Sequence, residues 1–394
     1  MPTKKTWVIS ALVMGAMALG NAGSTLYLPA MPVIANHLNT TGAMMKMSLS
    51  LFLIGFAVAQ LFYGPLSDAF GRRINLFVGI VIFFLGSLLS ASAHSVDILL
   101  AGRLVEGLGI GAANAVGYAL MRDVYSGEKL TTQLSYLSIF VGVTPLVAPI
   151  IGGYLVTLIA WQACFYFLAL CAVILFVAKL TWLPETLAAM DPKACHPKVI
   201  FKNYFTLFKS PLYMGYALAT ASAFGAVFTT GSMLPFLLVN QLGIPIALYG
   251  WIAGIPALGY MTGSFVGGRL ARKLGINGAI LGGVTLSLLA LLIGIVVNRI
   301  HFNVYALMAP LLFFMLGVGI VMPTGSSGAM APFPKLAGAE AAVLCASMFC
   351  LAAIFTAIGS HLSELTPIPL FCLLIGTSIL LLIFLSLTRK GGRK

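Results

Sequence analysis

The sequence predicts an all-α membrane protein that crosses the bilayer many times, and three observations support this class. Of its 394 residues, 60% are hydrophobic and 8% are charged, against about a quarter charged in an ordinary soluble protein. Apolar runs of about 20 residues, enough for a spanning helix, follow one another between short polar breaks. These runs lack the two-residue alternation of a barrel strand, and lipid forces each backbone to bond within its own helix.

Breaks at glycine, proline and charge clusters divide the chain into twelve predicted spans. They cover about residues 6–28, 43–66, 74–93, 97–121, 131–157, 162–183, 210–236, 246–270, 276–298, 302–324, 340–362 and 366–388. The first span is longer than the roughly 7 to 15 apolar residues of a secretory signal. We therefore expect it to be retained as a helix.

The positive charges predict the orientation of these spans. If the amino terminus is cytoplasmic, 19 of the 22 Lys and Arg residues fall inside, and the exceptions are Lys46, Arg103 and Arg299. Cytoplasmic loops carry such an excess, so we expect both termini in the cytoplasm. Loops facing anionic lipid headgroups also account for the net charge of +13, and nucleic-acid binding is not expected.

The residues that usually carry enzyme or metal chemistry show no such pattern. The six Cys form no C-x-x-C pair, and the five His have no second ligand at metal spacing, so we expect neither a metal site nor a cofactor. No Ser/His/Asp set or phosphate-binding P-loop is present either. A membrane enzyme or sensor is therefore disfavoured. Any transport must be driven by an ion gradient or by the gradient of the substrate itself.

An internal repeat predicts two bundles of six helices. A polar segment, residues 184–209, separates residues 1–183 from residues 210–394, and we expect it to be a cytoplasmic linker. The basic turn at 64–73 recurs at 268–275, with glycines and a leucine at a constant offset of 204 residues. Such a repeat is typical of secondary transporters that work by alternating access, with pseudo-two-fold symmetry.

Several motifs in order along the chain resemble the major facilitator superfamily, and within it the twelve-span drug:proton antiporters of the Bcr/CflA group. The motifs are residues 64–73, which match G-x-L-x-D-x-x-G-R-R, Arg103-x-x-x-Gly107-x-Gly109, residues 148–153 (APIIGG), Trp161, and residues 183–187 (LPETL). The resemblance implies the major facilitator fold. It also implies a bacterial inner-membrane protein that exports amphipathic compounds, drug-like molecules or a siderophore, in exchange for protons.

We expect the protein to act as a monomer. An uptake symporter for a nutrient or siderophore is the alternative, because the same architecture runs in either direction.

The first of these motifs has two interpretations. Its conspicuous residues are Gly64, Asp68, Gly71, Arg72 and Arg73. They form either a conformational latch that breaks as the two halves rock, or a topogenic turn with a surface ion pair worth roughly 0 to 1 kcal/mol. The family resemblance favours the latch.

The fifth span is expected to bend. Its small residues and prolines remove side-chain bulk and two backbone donors, and they are Gly142, Pro145, Pro149, Gly152 and Gly153. An ordinary kinked packing helix would show the same composition. In the family that the chain resembles, this motif is associated with exporters.

Two charges in the fourth span are the strongest functional candidates. At 100° per residue, Arg103, Glu106, Asn114 and Tyr118 share one face. A charge at the centre of a span costs about 2.5 to 3.5 kcal/mol, and it usually faces the interior of the bundle or a cavity. We predict that Glu106, the acid that lies well inside a span, couples protons together with Arg103. A self-neutralised structural strut is the alternative.

Polar residues elsewhere in the spans are candidates for a substrate cavity. Besides Asn114 and Tyr118, they are Asn21, Thr25 and Tyr27 in the first span and Tyr260 in the eighth. Each could equally form a hydrogen bond between helices. Members of the family commonly have an acid at the position of Thr25 and Gln at the position of Glu106. The coupling acid has either moved to the fourth span, or coupling follows another route.

Overall fold

The computed structural model describes residues 4–187, 190–330 and 337–391, and within these ranges the chain is helical and contains no strand. The helices are α1 Lys4–Thr25, α2 Met31–His37, α3 Gly42–Phe70, α4 Arg72–Ala91, α5 Val96–Val124, α6 Gly127–Leu158, α7 Gln162–Trp182, α8 Pro197–Phe208, α9 Pro211–Pro235, α10 Ile246–Ile300, α11 Val304–Met330, α12 Ala337–Ser360 and α13 Ile368–Gly391. The predicted all-helical class is confirmed.

The longest helix, α10, contains two predicted spans. Its 55 residues would reach about 80 Å as one straight rod, far more than a bilayer needs. Gly275 interrupts it with φ 73° and ψ 168°, a left-handed conformation that glycine adopts without a side-chain clash. Residues 246–274 and 276–300 therefore form two spans.

The number of spans agrees with the sequence-based prediction. Within the described part of the chain, nine helices are long and apolar enough to cross a membrane, and α10 is one of them. Division of α10 at Gly275 adds one span. The helices α5 and α6, with 29 and 32 residues, also exceed the required length. The total is about twelve.

Local signals fix where individual helices begin. The Ser95 hydroxyl accepts a hydrogen bond from the Ile98 N–H at the start of α5, and Asp97 stands in the first turn. Ser210 caps α9 in the same way, with Pro211 as the first helical residue. Both arrangements satisfy N–H groups that a helix start leaves unpaired.

The described helices form two compact units. The first comprises Met1–Tyr27 and Leu51–Lys202, and the second comprises Leu28–Ser50 and Asn203–Lys394. Within the first unit, α4 crosses α5 closely at Gly86, where a Cβ atom would stand 2.5 Å from the Glu106 nitrogen. Within the second unit, α10 packs along α11. The bundle limits predicted at residues 183 and 210 stay a prediction.

Candidate functional site

The charged pair predicted in the fourth span is formed on α5. Arg103 and Glu106 lie one turn apart, and both side chains are fully buried. The Arg103 Nη1 atom donates to Glu106 Oε2, and Nη2 donates to the carbonyl oxygen of Gly23 on α1 at 2.8 Å. The first unit therefore encloses an ion pair that also ties α5 to α1.

Aromatic rings complete the surroundings of the Arg103 guanidinium. Its carbon lies 4.2 Å from the ring centroid of Tyr27, 4.4 Å from that of Phe52 and 5.8 Å from that of Phe165. A desolvated cation over such a ring gains about 2 kcal/mol. Tyr27, a predicted cavity residue, is fully buried against the cation, and its role in a cavity stays a prediction. Phe52 and Phe165 were missed, because an aromatic residue in an apolar run looks like ordinary packing.

The Glu106 carboxylate has one bound oxygen and one oxygen without a hydrogen-bond partner. Oε2 receives Arg103, whereas Oε1 is buried and accepts no hydrogen bond. Ser87 of α4 stands beside this carboxyl, but its hydroxyl makes no hydrogen bond in this geometry. Most buried polar atoms are paired, so an unpaired carboxylate oxygen is a place where a proton can be taken up.

The other predicted cavity residues of the first unit occupy more open positions or bond to their own helix. Asn114 is half-buried, and Tyr118 has 39% of its surface exposed. Thr25 donates to the Asn21 carbonyl at 2.8 Å, and the Asn21 amide donates to the Met17 carbonyl at 3.0 Å. Their role in a cavity stays a prediction.

Tyr260, the remaining predicted cavity residue, lies on α10 and belongs to the second unit, where it is half-buried. Its role in a cavity likewise stays a prediction.

The predicted bend residues all lie on α6. Gly142 and Pro145 are exposed, and a Cβ atom at Gly142 would meet no atom within 4 Å. Pro149, Gly152 and Gly153 are buried, and the Gly152 carbonyl accepts the Cys164 thiol at 3.8 Å. The bend itself stays a prediction.

A second group of charges, which we term the charge cluster, comprises Asp68, Arg72, Asp123 and Glu185. Arg72 Nη1 lies 2.5 Å from Asp68 Oδ1, and Arg72 Nε lies 3.2 Å from Asp123 Oδ2. The arginine side chain is nine-tenths buried, whereas Asp68 is about half exposed. The structure thus brings together Asp68 and Arg72 of the predicted latch and adds Asp123.

Glu185 of the charge cluster binds the start of α4. Its carboxylate accepts the backbone N–H groups of Arg72 and Arg73, both at 3.0 Å, and also those of Thr186 and Leu187. Partial burial acts to raise the pKa of Glu185, but these four backbone donors outweigh it and hold the pKa below its ordinary value. The motif was visible in the sequence, but its contact across 112 residues was not.

Gly71 lies under this carboxylate, and its backbone conformation favours glycine, whereas the nearby carboxylate end could shift to admit a side chain. Its φ is 96°, and a Cβ atom there would stand 2.6 Å from Glu185 Oε2. Gly64, by contrast, has no atom within 4 Å of its Cβ position. Arg73 donates to the Leu180 carbonyl at 3.1 Å and lies over the Phe77 ring. These contacts join the turn before α4 to the end of α7.

Two lysines are more deeply buried than their sequence positions suggest. Lys46 of α3, one of the three basic residues that the predicted orientation does not place in the cytoplasm, is fully buried in the second unit. Its Nζ atom lies 2.8 Å from Glu364 Oε1 and 3.0 Å from the Gly359 carbonyl oxygen. Lys179 is fully buried on α7, and its Nζ atom has no hydrogen-bond partner. Sequence offers no signal for the Lys46 pair, because its acid lies in a loop near the other end of the chain.

Across the part of the chain that the structure describes, no three His, Cys, Asp or Glu side chains are placed so that they could hold a metal ion.

Comparison with known proteins gives a consistent family. A model described as Major Facilitator Superfamily matches residues 13–357. The chain is 33% identical to Multidrug resistance protein D of Escherichia coli (strain K12), over 83% of this chain and 82% of that protein. It is 25% identical to the Bicyclomycin resistance protein homolog of Haemophilus influenzae, over 94% and 93% of the two chains. The crystal structure of a D-xylose-proton symporter superposes with a TM-score of 0.75 at 12% identity, covering 97% of this chain and 98% of that one.

The ion pair of Lys46 and Glu364 predicts a different loss of stability for each partner that is substituted. Glu364→Gln leaves the Lys46 ammonium buried without its anion, so we expect the free energy of unfolding to fall by about 1 to 3 kcal/mol. Lys46→Met should cost less, because Glu364 is 24% exposed and water can solvate it. The double variant should recover part of the loss. Thermal unfolding of the purified protein measures all three, and equal losses in both single variants would contradict this assignment.

The Glu185 contacts predict a pH-dependent contribution to stability. Since the folded pKa lies below the unfolded one, the contribution is fully present above the unfolded value, about 4.3, and is lost as the pH falls through the folded value. Glu185→Gln should therefore lower the unfolding temperature at pH 7, with a difference from wild type that shrinks below about pH 4. Glu128→Gln, at the start of α6, is the matched control. A difference independent of pH would show that the charge of Glu185 is not involved.

Proposed function

Because this chain belongs to the major facilitator superfamily, we propose that it is a proton-coupled antiporter that exports amphipathic, drug-like compounds across the bacterial inner membrane. The protein is a multi-pass membrane transporter and not an enzyme. Its similarity over most of its length to a protein named for multidrug resistance carries the proposal for direction and substrate class. The uptake alternative gains no support from relatives that are named for resistance.

Glu106 is proposed as the proton-binding group and Arg103 as its partner. With Glu106 ionised, the two side chains neutralise each other inside the first unit. A proton on Glu106 removes the electrostatic attraction between the two side chains. Arg103 retains its hydrogen bond to the Gly23 carbonyl and its contacts with the rings of Tyr27 and Phe52. Proton binding therefore breaks an ion pair within α5 and leaves Arg103 as an unneutralised cation, which is still held by its contact with α1. This is the kind of local change that can bias a conformational equilibrium.

The turn at residues 64–73 is proposed as the conformational latch, with Asp68 and Arg72 of the charge cluster as its ion pair. Asp68 is about half exposed, so its ion pair with Arg72 adds only about 0 to 1 kcal/mol to static stability. A contact of this size is easily broken and re-formed during a transport cycle. The Glu185 carboxylate accepts backbone hydrogen bonds at the start of α4, and these keep Arg72 in position to break and re-form its ion pair with Asp68.

The orientation proposed for the membrane places both termini in the cytoplasm, and the protein is proposed to act as a monomer. The positive-inside distribution supports the orientation. Lys335, Arg393 and Lys394, which contribute to that distribution, lie outside the described residues. The proposed partners are thus a small-molecule substrate, protons and the lipid bilayer.

The central test is Glu106→Gln in proteoliposomes loaded with a fluorescent cationic dye or an antibiotic. With one proton per substrate, one pH unit sustains about a tenfold gradient. The variant keeps the side-chain shape but cannot bind a proton, so we expect this accumulation ratio to fall to about one while downhill exchange persists.

Asp97→Asn, an exposed acid on the same helix, is the matched control for this experiment and should accumulate substrate normally. Accumulation by Glu106→Gln that still follows the pH gradient would mean that another group carries the proton. The pair would then be a structural strut.

The latch predicts an effect on rate rather than on affinity. Asp68→Asn weakens a contact that does not touch substrate, so turnover should change about threefold or more while substrate binding stays the same. Stopped-flow dye transport and equilibrium dye binding measure the two quantities, and Glu128→Gln is the control. Unchanged turnover in Asp68→Asn would reduce the turn to a topogenic role.

A further inference from the structure

One short helix outside the candidate spans has an exposed aromatic face. The helix α8, Pro197–Phe208, packs through Leu207, which is fully buried, and through the half-buried Ile200 and Tyr204. On its open side lie Phe201, Phe205 and Phe208, with 75%, 59% and 54% of their surface exposed. Its position in the polar segment 184–209 gave no reason to expect such a face.

Lysines border these rings along one edge. With Phe201 at 0° and 100° per residue, Phe208 falls near −20° and Phe205 near +40°. Lys198, Lys209 and Lys202 follow at about +60°, +80° and +100° on the same measure. All three lysines are exposed, and Lys209 Nζ lies 4.4 Å from the Phe205 ring centroid. The exposed surface of α8 is therefore an aromatic strip with a basic border.

We propose that this surface of α8 is a docking site for anionic phospholipids of the membrane in which the protein resides. The three rings would enter the boundary between headgroups and acyl chains, and the lysine ammonium groups would bind lipid phosphates. The helix contains no Asp or Glu, so its charge complements an anionic surface alone.

The arrangement of rings and lysines on α8 is more specific than the orientation of the spans requires. The positive-inside rule needs an excess of positive charge in a loop, in any order and without aromatic neighbours. Here the rings and the lysines occupy adjacent sectors of one helix, the pattern of a helix that lies in the interface plane. An acidic protein partner would match the lysines but would not account for three exposed rings beside a bilayer.

The proposal goes beyond transport and does not depend on the substrate or the coupling ion. It is tested on the full-length protein in nanodiscs of phosphatidylcholine alone or with about one third phosphatidylglycerol. Hydrogen exchange of the amides at 200–208 is the measurement, and we expect it to be at least fivefold slower with phosphatidylglycerol, since each lysine contributes about fivefold to binding.

Variants separate the contribution of α8 from general charge. Replacement of Lys198, Lys202 and Lys209 by Gln should abolish the difference between the two lipid compositions. Replacement of Arg269, Arg272 and Lys273 by Gln removes the same charge elsewhere and should leave the difference at α8 intact.

The wild-type comparison needs no variant, so a variant that fails to fold does not remove the test. Equal exchange in both lipids, or a lipid effect that persists in the α8 lysine variant, would overturn the proposal. Protection that appears only when polyglutamate is added would point instead to an acidic protein partner.

Discussion

The cost of an unpaired charge in lipid is the constraint that explains the surroundings of Arg103 and Lys46. Arg103 is surrounded by an acid, a carbonyl and three rings, and Lys46 by an acid and a carbonyl. These groups offset the cost of keeping each cation inside its helix. Gly23 and Gly359 contribute only their backbone oxygens to these contacts, so their positions in the fold are constrained by Arg103 and Lys46.

The same constraint explains why small residues accompany the buried pair. Gly86 leaves no room for a Cβ atom beside Glu106, so α4 can approach α5 closely and keep water and lipid away from the carboxylate. A tightly enclosed acid is held in one place until something moves the helices around it. Close packing and the proposed proton site thus involve the same few residues of α4 and α5.

The fold could be predicted well from the sequence because each span can be recognised from the apolar composition of its own residues. Apolar length gave the helices, and Gly275 marks the break within α10 that separates two predicted spans.

The site could be predicted only in part. Glu106 and Arg103 were found because charges in a span are conspicuous, whereas Phe52, Glu364 and the backbone contacts of Glu185 depend on which helices meet. The contacting residues are 51 or more positions apart in the sequence, so no local pattern reveals them. The helix α8 was missed for another reason, since a polar segment with alternating lysines and phenylalanines does not resemble a span.

The contact of Lys46 with the far end of the chain also has a consequence for biosynthesis. The lysine and the Gly359 carbonyl are separated by 313 residues. At about 5 to 20 residues per second, a ribosome needs roughly a quarter of a minute to a minute to make that length. During this interval the first spans are already synthesised, and the ammonium group lacks both of its final partners. The nascent chain therefore needs another environment for this charge, in water at the membrane surface or within the insertion machinery, until α12 and the loop after it emerge.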